Sequence, residues 1–107
     1  MFYTYIIRCK DDTLYTGYTT DIRRRVSEHK RRINCKYTRS RKFSSLEAVF
    51  ISETRSCAMK LECYIKSLTR KKKLDIIENP EKLESEFFDI KKEKISHMHR
   101  TLILTIQ

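Results

Sequence analysis

Apolar and polar positions change period several times along this chain, and each change marks an element. Residues 2–7, Phe-Tyr-Thr-Tyr-Ile-Ile, are aromatic and β-branched and read as a first strand. Asp11-Asp12 reads as a turn, and Thr13 to Tyr18 runs back as a second strand. Alternation puts Tyr3, Tyr5 and Ile7 on one face. The face taken by Tyr15 depends on the loop. A two-residue loop at Asp11-Asp12 pairs Arg8 with Tyr15 and sends Tyr5 and Tyr15 to opposite faces, whereas a loop of three or five residues brings them to the same one.

The spacing then lengthens. Thr20 or Asp21 caps a helix running to about Arg32, with Ile22, Val26, His29 and Ile33 in one narrow stripe at about 100° per residue. Arg25 lies about 60° from the edge of that stripe and leans over the sheet, while Arg24 points to solvent. Asn34 to Lys42 is an irregular turn or a short helix, and Leu46 to Ile51 is a third strand. Thr54 or Ser56 opens a second long helix with Cys57, Leu61, Tyr64, Ile65 and Leu68 inward and Glu62 and Lys66 flanking them. Arg70-Lys71-Lys72-Lys73 leads into Leu74, Ile76 and Ile77 as a short basic helix. Asn79-Pro80 ends it and opens another helix, with Leu83, Phe87 and Ile90 as its apolar face. Thr101 to Ile106 looks strand-like. The fold class is α/β, of the α+β type: a three-stranded antiparallel sheet flanked by helices in the order β-β-α-β-α-α. Residues 1–79 form the domain, and residues 80–107 an extension of one helix and a strand-like tail.

Charge adds a partner to this picture. Lys and Arg outnumber Asp and Glu by 24 to 14, and the whole excess sits in residues 1–79, with 19 basic and 9 acidic side chains against 5 of each in residues 80–107. Such a field attracts a polyanion, and nucleic acid is the obvious one. Arg31, Arg32, Lys36, Arg39, Arg41, Lys42, Lys66, Arg70, Lys71, Lys72 and Lys73, with Tyr37 among them, are expected to bind its backbone without reading sequence. No apolar run is long enough to cross a membrane. Four cysteines without a C-x-x-C pair, three histidines without zinc spacing and no signal peptide lead to the expectation of a reduced, cytoplasmic protein, with Cys57 a small buried hydrophobe.

The single glycine, Gly17, lies within Leu14-Tyr15-Thr16-Gly17-Tyr18-Thr19. Glycine serves a positive φ or lets other atoms come close, and for an isolated Tyr-x-Gly a strand-end turn is the simpler expectation. Its surroundings shift that. Strand Tyr3-Thr4-Tyr5, strand Tyr15-Thr16-Gly17, helix Asp21 to His29 and Glu62 on a later helix, in this order, resemble the GIY-YIG nuclease superfamily. Within it they look most like the small single-domain members that carry a Lys-Tyr-Thr-Arg run such as Lys36 to Arg39. The resemblance covers about residues 1–78.

That resemblance implies a metal-dependent endonuclease hydrolysing phosphodiester bonds in DNA. Tyr5 matches the tyrosine of the first motif, Tyr15 that of the second, Arg25 the helix arginine, His29 a frequent histidine one turn later, and Glu62 the metal-binding glutamate. Tyr37 stands where some members have a further active-site residue. Tyr3 replaces the glycine of the first motif, and Thr16 the middle residue of the second. In the implied chemistry Glu62 holds one Mg²⁺ or Mn²⁺. Arg25 grips phosphate oxygens, Tyr5 acts as base, Tyr15 positions water or phosphate, and His29 relays a proton or orients Tyr5. The expected substrate is DNA, branched, nicked or single-stranded, as in repair or recombination, with RNA left open. The rival reading is a non-catalytic nucleic-acid-binding protein or a subunit of a repair assembly, in which Glu62 only pairs with Lys66. A weaker one is a protein-interaction adaptor. The chain is expected as a monomer, or as a homodimer formed through the extension.

Overall fold

The computed structural model describes residues 1–107. Its elements follow in the order β1 (Phe2–Cys9), β2 (Leu14–Thr19), α1 (Ile22–Lys30), α2 (Lys36–Arg41), β3 (Phe43–Ser52), α3 (Arg55–Ser67), α4 (Arg70–Glu78), α5 (Pro80–Lys91), β4 (Ser96–His97) and α6 (Arg100–Ile106). The strands make one antiparallel sheet in the order β2-β1-β3-β4. Central β1 is buried on both faces from Thr4 to Ile7, so its sequence is apolar on both sides rather than alternating. One face of the sheet meets α3, α4 and α5, with Ile6, Ala48 and Phe50 packed among Leu61, Ile65, Ile76, Leu83 and Phe87. The other meets α1 and α6, where Tyr5, Ile7 and Val49 pack with Ile22, Val26 and Ile103. No helix is long and apolar enough to cross a membrane.

The sheet has four strands, not three. The fourth is only Ser96–His97, paired with Phe50 and Ile51, too short to show any pattern in the sequence. Thr101 to Ile106 is helical, not a strand. Its run of apolar residues fits either state, and as α6 it packs on the Tyr5 face of the sheet instead of extending the edge of β3. As a helix it turns Ile103 and Ile106 inward and leaves Leu102 and Leu104 exposed. The Gln107 side chain then accepts a hydrogen bond from the Leu46 N–H at 2.9 Å, beside the bulge in the β1–β3 pairing. On α5, Leu83 and Phe87 are buried but Ile90 is exposed, because the helix outruns the core it covers. Helix α1 stops at Lys30, before Ile33, which is exposed. Arg32 takes φ 61°, and the N–H groups of Arg32 and Ile33 turn back to the carbonyls of His29 and Glu28, the Schellman closure.

Candidate active site

Tyr5 pairs with Gly17 across β1 and β2, and Ile7 with Tyr15. Residues opposite one another in a ladder project from the same face, so Tyr5, Tyr15 and Gly17 all face α1. This register leaves an odd number of residues between Arg8 and Leu14. The loop closes through Cys9 N–H to the Thr13 carbonyl at 2.8 Å and Asp12 N–H to the Cys9 carbonyl at 2.9 Å. Gly17 does not serve a turn. It lies within β2 and its φ is not positive. A Cβ placed there would lie 2.7 Å from Tyr5 Oη and 2.9 Å from Tyr5 Cζ, so the missing side chain is the room that the Tyr5 ring takes.

Asp21 starts α1 by accepting from the Arg24 N–H at 3.1 Å, which sets the rotation of the helix over the sheet. Val26 and His29 point inward, Arg25 leans over Tyr5, and Arg24 is largely solvated. Arg25 Nε donates to Tyr5 Oη at 3.1 Å, and the same oxygen lies 2.8 Å from His29 Nε2. Arg25 Nη1 donates to Glu28 Oε1 at 2.9 Å and to the Asn34 carbonyl at 3.1 Å, while Asn34 Nδ2 donates to Glu28 Oε2 at 3.1 Å. Asn34 holds φ 58°, a left-handed conformation that asparagine tolerates. Three of the guanidinium's N–H groups are thus committed, and the Nη2 pair stays open for a ligand.

Burial pushes the Tyr5 phenol well above its usual range, against the opposing pull of the Arg25 charge and hydrogen bond. Burial also works against the charge on Arg25, but hydrogen bonds to Tyr5 and Glu28 outweigh it and hold the guanidinium above its ordinary value. His29 is pulled down to about 4 by burial and by the neighbouring Arg25 charge. The resting pair is therefore a neutral phenol and a neutral imidazole. Arg25 can only donate to Tyr5 Oη, while the direction of the Tyr5–His29 bond follows the imidazole tautomer: with the ring proton on Nδ1, Nε2 accepts from the Tyr5 O–H.

Tyr15 packs edge-on to His29, with centroids 5.7 Å apart, and Tyr37 lies 5.0 Å from Tyr15. The Arg41 guanidinium covers Tyr37 at 4.9 Å and is held by Asp11 at 2.7 Å. Glu62 arrives from the opposite face. There α3 is tied to the sheet by the Thr4 hydroxyl donating to the Ala58 carbonyl at 3.1 Å, one turn before Glu62. Burial raises the Tyr15 phenol, and the charges of Cys35 and of Glu62 add to that shift. Glu62 is half-buried and pairs with Lys66 at 3.6 Å. Glu28 is committed to Arg25 and Asn34, and no three His, Cys, Asp or Glu side chains gather as a cage. A single half-buried carboxylate suits Mg²⁺ or Mn²⁺, which keep most of their positions for water and phosphate, better than a zinc ion.

The expected basic residues do not form one surface. Arg31, Arg32, Lys36, Arg39, Arg41 and Lys42 lie around α1 and α2 on the side of Tyr5, whereas Lys66 and Arg70 to Lys73 belong to α3 and α4 on the other. The hairpin tip joins the two groups, because Asp11 binds Arg41 and Asp12 binds Arg70 at 3.0 Å. Glu28, Asn34 and Thr38 escaped the sequence reading. Only Glu28, three residues after Arg25, left a signal there, as an i,i+3 pair.

The profile of the GIY-YIG catalytic domain matches residues 1–75, more than half of the sequence. The chain belongs to the GIY-YIG family. A UPF0213 protein of Fusobacterium nucleatum is 38% identical over 94 residues, covering 88% of this chain and 94% of that one. A UPF0213 protein of Haloquadratum walsbyi is 49% identical over 76 residues, covering 71% and 85%. The solution structure of a UPF0213 protein from Bacillus halodurans shares 41% identity over 73% of this chain and 84% of that one, with a TM-score of 0.48. GIY-YIG nucleases act on nucleic acid and generally use a divalent metal. The profile match ends within α4, so α5, β4 and α6 lie beyond the span that defines the GIY-YIG domain.

Proposed function

We propose that this GIY-YIG protein is a metal-dependent endonuclease that hydrolyses phosphodiester bonds in DNA with little sequence preference. The observation that carries this reading is the position of Tyr5 Oη, between the Nε of Arg25 and the Nε2 of His29, beneath the gap left by Gly17. A phenol held this way need not ionise beforehand. As Tyr5 Oη accepts a proton from the attacking water, its own proton passes to His29 Nε2, which is neutral and ready to take it. The open Nη2 edge of Arg25 grips the phosphate oxygens as charge builds on them. Tyr15, on the same face, orients water or phosphate. Glu62 would hold the divalent cation, which when bound supplies Lewis-acid neutralisation of the phosphate and leaving oxygen. The basic residues of α1 and α2 supply sequence-independent contacts to the backbone.

The test is incubation with end-labelled single-stranded, duplex and branched DNA in Mg²⁺ or Mn²⁺, with EDTA as control. Cation-dependent cleavage of at least one substrate is the expected result. Binding of all three without cleavage in either cation would replace the enzyme with a binding protein.

A further inference from the structure

We infer that Thr38 is a positioning residue of this site: its hydroxyl fixes the His29 tautomer that lets Nε2 receive the Tyr5 proton. The inference rests on the nuclease reading for its consequence, but not for its physical content.

The geometry is a short chain of buried groups. His29 Nδ1 lies 2.9 Å from Thr38 Oγ1, and both residues are fully buried. Thr38 lies nine positions after His29, and two left-handed turns, at Arg32 and Asn34, fold α2 back onto α1. Thr38 is the sole buried residue of α2, whose other side chains include Lys36, Arg39, Ser40 and Arg41, all exposed. A β-branched hydroxyl residue is a poor choice for a helix interior, and burying its hydroxyl costs free energy unless it is hydrogen-bonded. An alanine or valine would fill the position at lower cost if packing were all it had to do.

Tautomer logic gives the hydroxyl its role. A neutral imidazole carries one N–H. In the inferred tautomer the ring proton is on Nδ1 and donates to Thr38 Oγ1, which leaves Nε2 to accept from the Tyr5 O–H. When Nε2 takes the Tyr5 proton, the imidazolium keeps the same Nδ1–H bond, so Thr38 serves both states without moving. Without an acceptor at Thr38, the neutral ring gains by moving its proton to Nε2 and donating to Tyr5 Oη. That ring has no free lone pair facing Tyr5, and the proton path is closed. The isosteric Thr38→Val keeps the shape and removes the acceptor, while Thr38→Ser keeps the acceptor.

The experiment reads the tautomer directly, by two-bond ¹H–¹⁵N correlation spectra of the imidazole nitrogens in the full-length protein at pH 7. Wild type and Thr38→Ser should show His29 protonated at Nδ1, and Thr38→Val should shift toward Nε2–H. Cleavage by Thr38→Val should fall on the order of 10²-fold, the low end of what a positioned proton acceptor contributes, with DNA affinity unchanged and Thr38→Ser close to wild type. Wild-type His29 protonated at Nε2, or Thr38→Val with an unchanged tautomer, overturns the inference, and so does Thr38→Val cutting at the wild-type rate. The wild-type spectrum decides even if Thr38→Val does not fold. If wild type cuts no DNA at all, the nuclease reading fails while the spectra still decide what Thr38 does.

Discussion

Gly17 stands directly opposite Tyr5 in the β1–β2 ladder, and the hydroxyl end of Tyr5 occupies the space where any other residue would carry its Cβ. The glycine is thus a steric device, not a conformational one, since its φ is open to every residue. Gly17→Ala should be neutral or mildly favourable for the strand itself, yet its methyl group would displace Tyr5 Oη from Arg25 and His29. Overpacking should cost about 1–3 kcal/mol of stability. Cleavage should drop by about 10²-fold, as expected for a reacting group displaced by around an ångström. Urea denaturation and single-turnover cleavage check the two effects separately.

Acid should weaken the fold through His29. Its folded-state value of about 4 lies below the ordinary 6.5, so the unfolded chain binds the extra proton first as pH falls. The fold keeps its full stability above pH about 6.5, and His29 removes up to about 3 kcal/mol of it as pH falls through the window down to about 4. Denaturant titrations at pH 4.5 and 7.5 should show that difference in wild type. His29→Gln should flatten it, and a variant with the wild-type slope would assign the effect to another group.

Glu62→Gln separates catalysis from binding. The substitution keeps size and removes the charge that would hold the cation. Cleavage should fall by about 10²–10³-fold, while binding without metal survives or tightens slightly. Loss of the Lys66 pair should cost no more than about half a kcal/mol. Arg25→Ala should also abolish cleavage, with only a modest loss of affinity. Cleavage by Glu62→Gln at the wild-type rate would rule out a cation held by this carboxylate.

Affinity should be nearly the same for unrelated DNA sequences and fall steeply with salt. Arg31→Ala and Arg32→Ala should each reduce the slope of log K against log salt by about one, if each arginine neutralises one phosphate. Fluorescence anisotropy across a salt series measures this. A strong preference for one duplex, or a flat salt response, would remove the basic face as the binding surface.

Deleting residues 80–107 should destroy cooperative folding. Leu83, Phe87, Ile95 and Ile103 are all buried in the two cores. At about 1.5–3 kcal/mol each, their loss would remove roughly 6–12 kcal/mol, comparable to the entire stability of a domain this size. A truncated chain with a sharp thermal transition near that of the full protein would contradict this packing.

Local pattern was enough to read β1, β2, α1 and α3 from the chain, because each has a clear period or cap: the aromatic and β-branched run of β1, Asp21 before Ile22, and Thr54 before the Cys57–Leu61–Ile65 stripe. The resemblance to the GIY-YIG family implied Tyr5, Tyr15, Arg25, His29 and Glu62 as a group, residue by residue from the matching motifs. Other features were beyond local reasoning. Whether Tyr5 and Tyr15 share a face turned on the parity of one loop, and loop length is set by hydrogen bonds such as Cys9 N–H to Thr13. Whether Thr101 to Ile106 would be strand or helix depended on the sheet face on which Ile103 and Ile106 pack with Tyr5, Ile7 and Val49. Thr38, Asn34 and Glu28 became partners of His29 and Arg25 only through two left-handed residues that reverse the chain after α1. Periodicity reports which face of an element is apolar. It does not report what that face meets, and contacts between residues distant in sequence exist only once the chain has closed on itself.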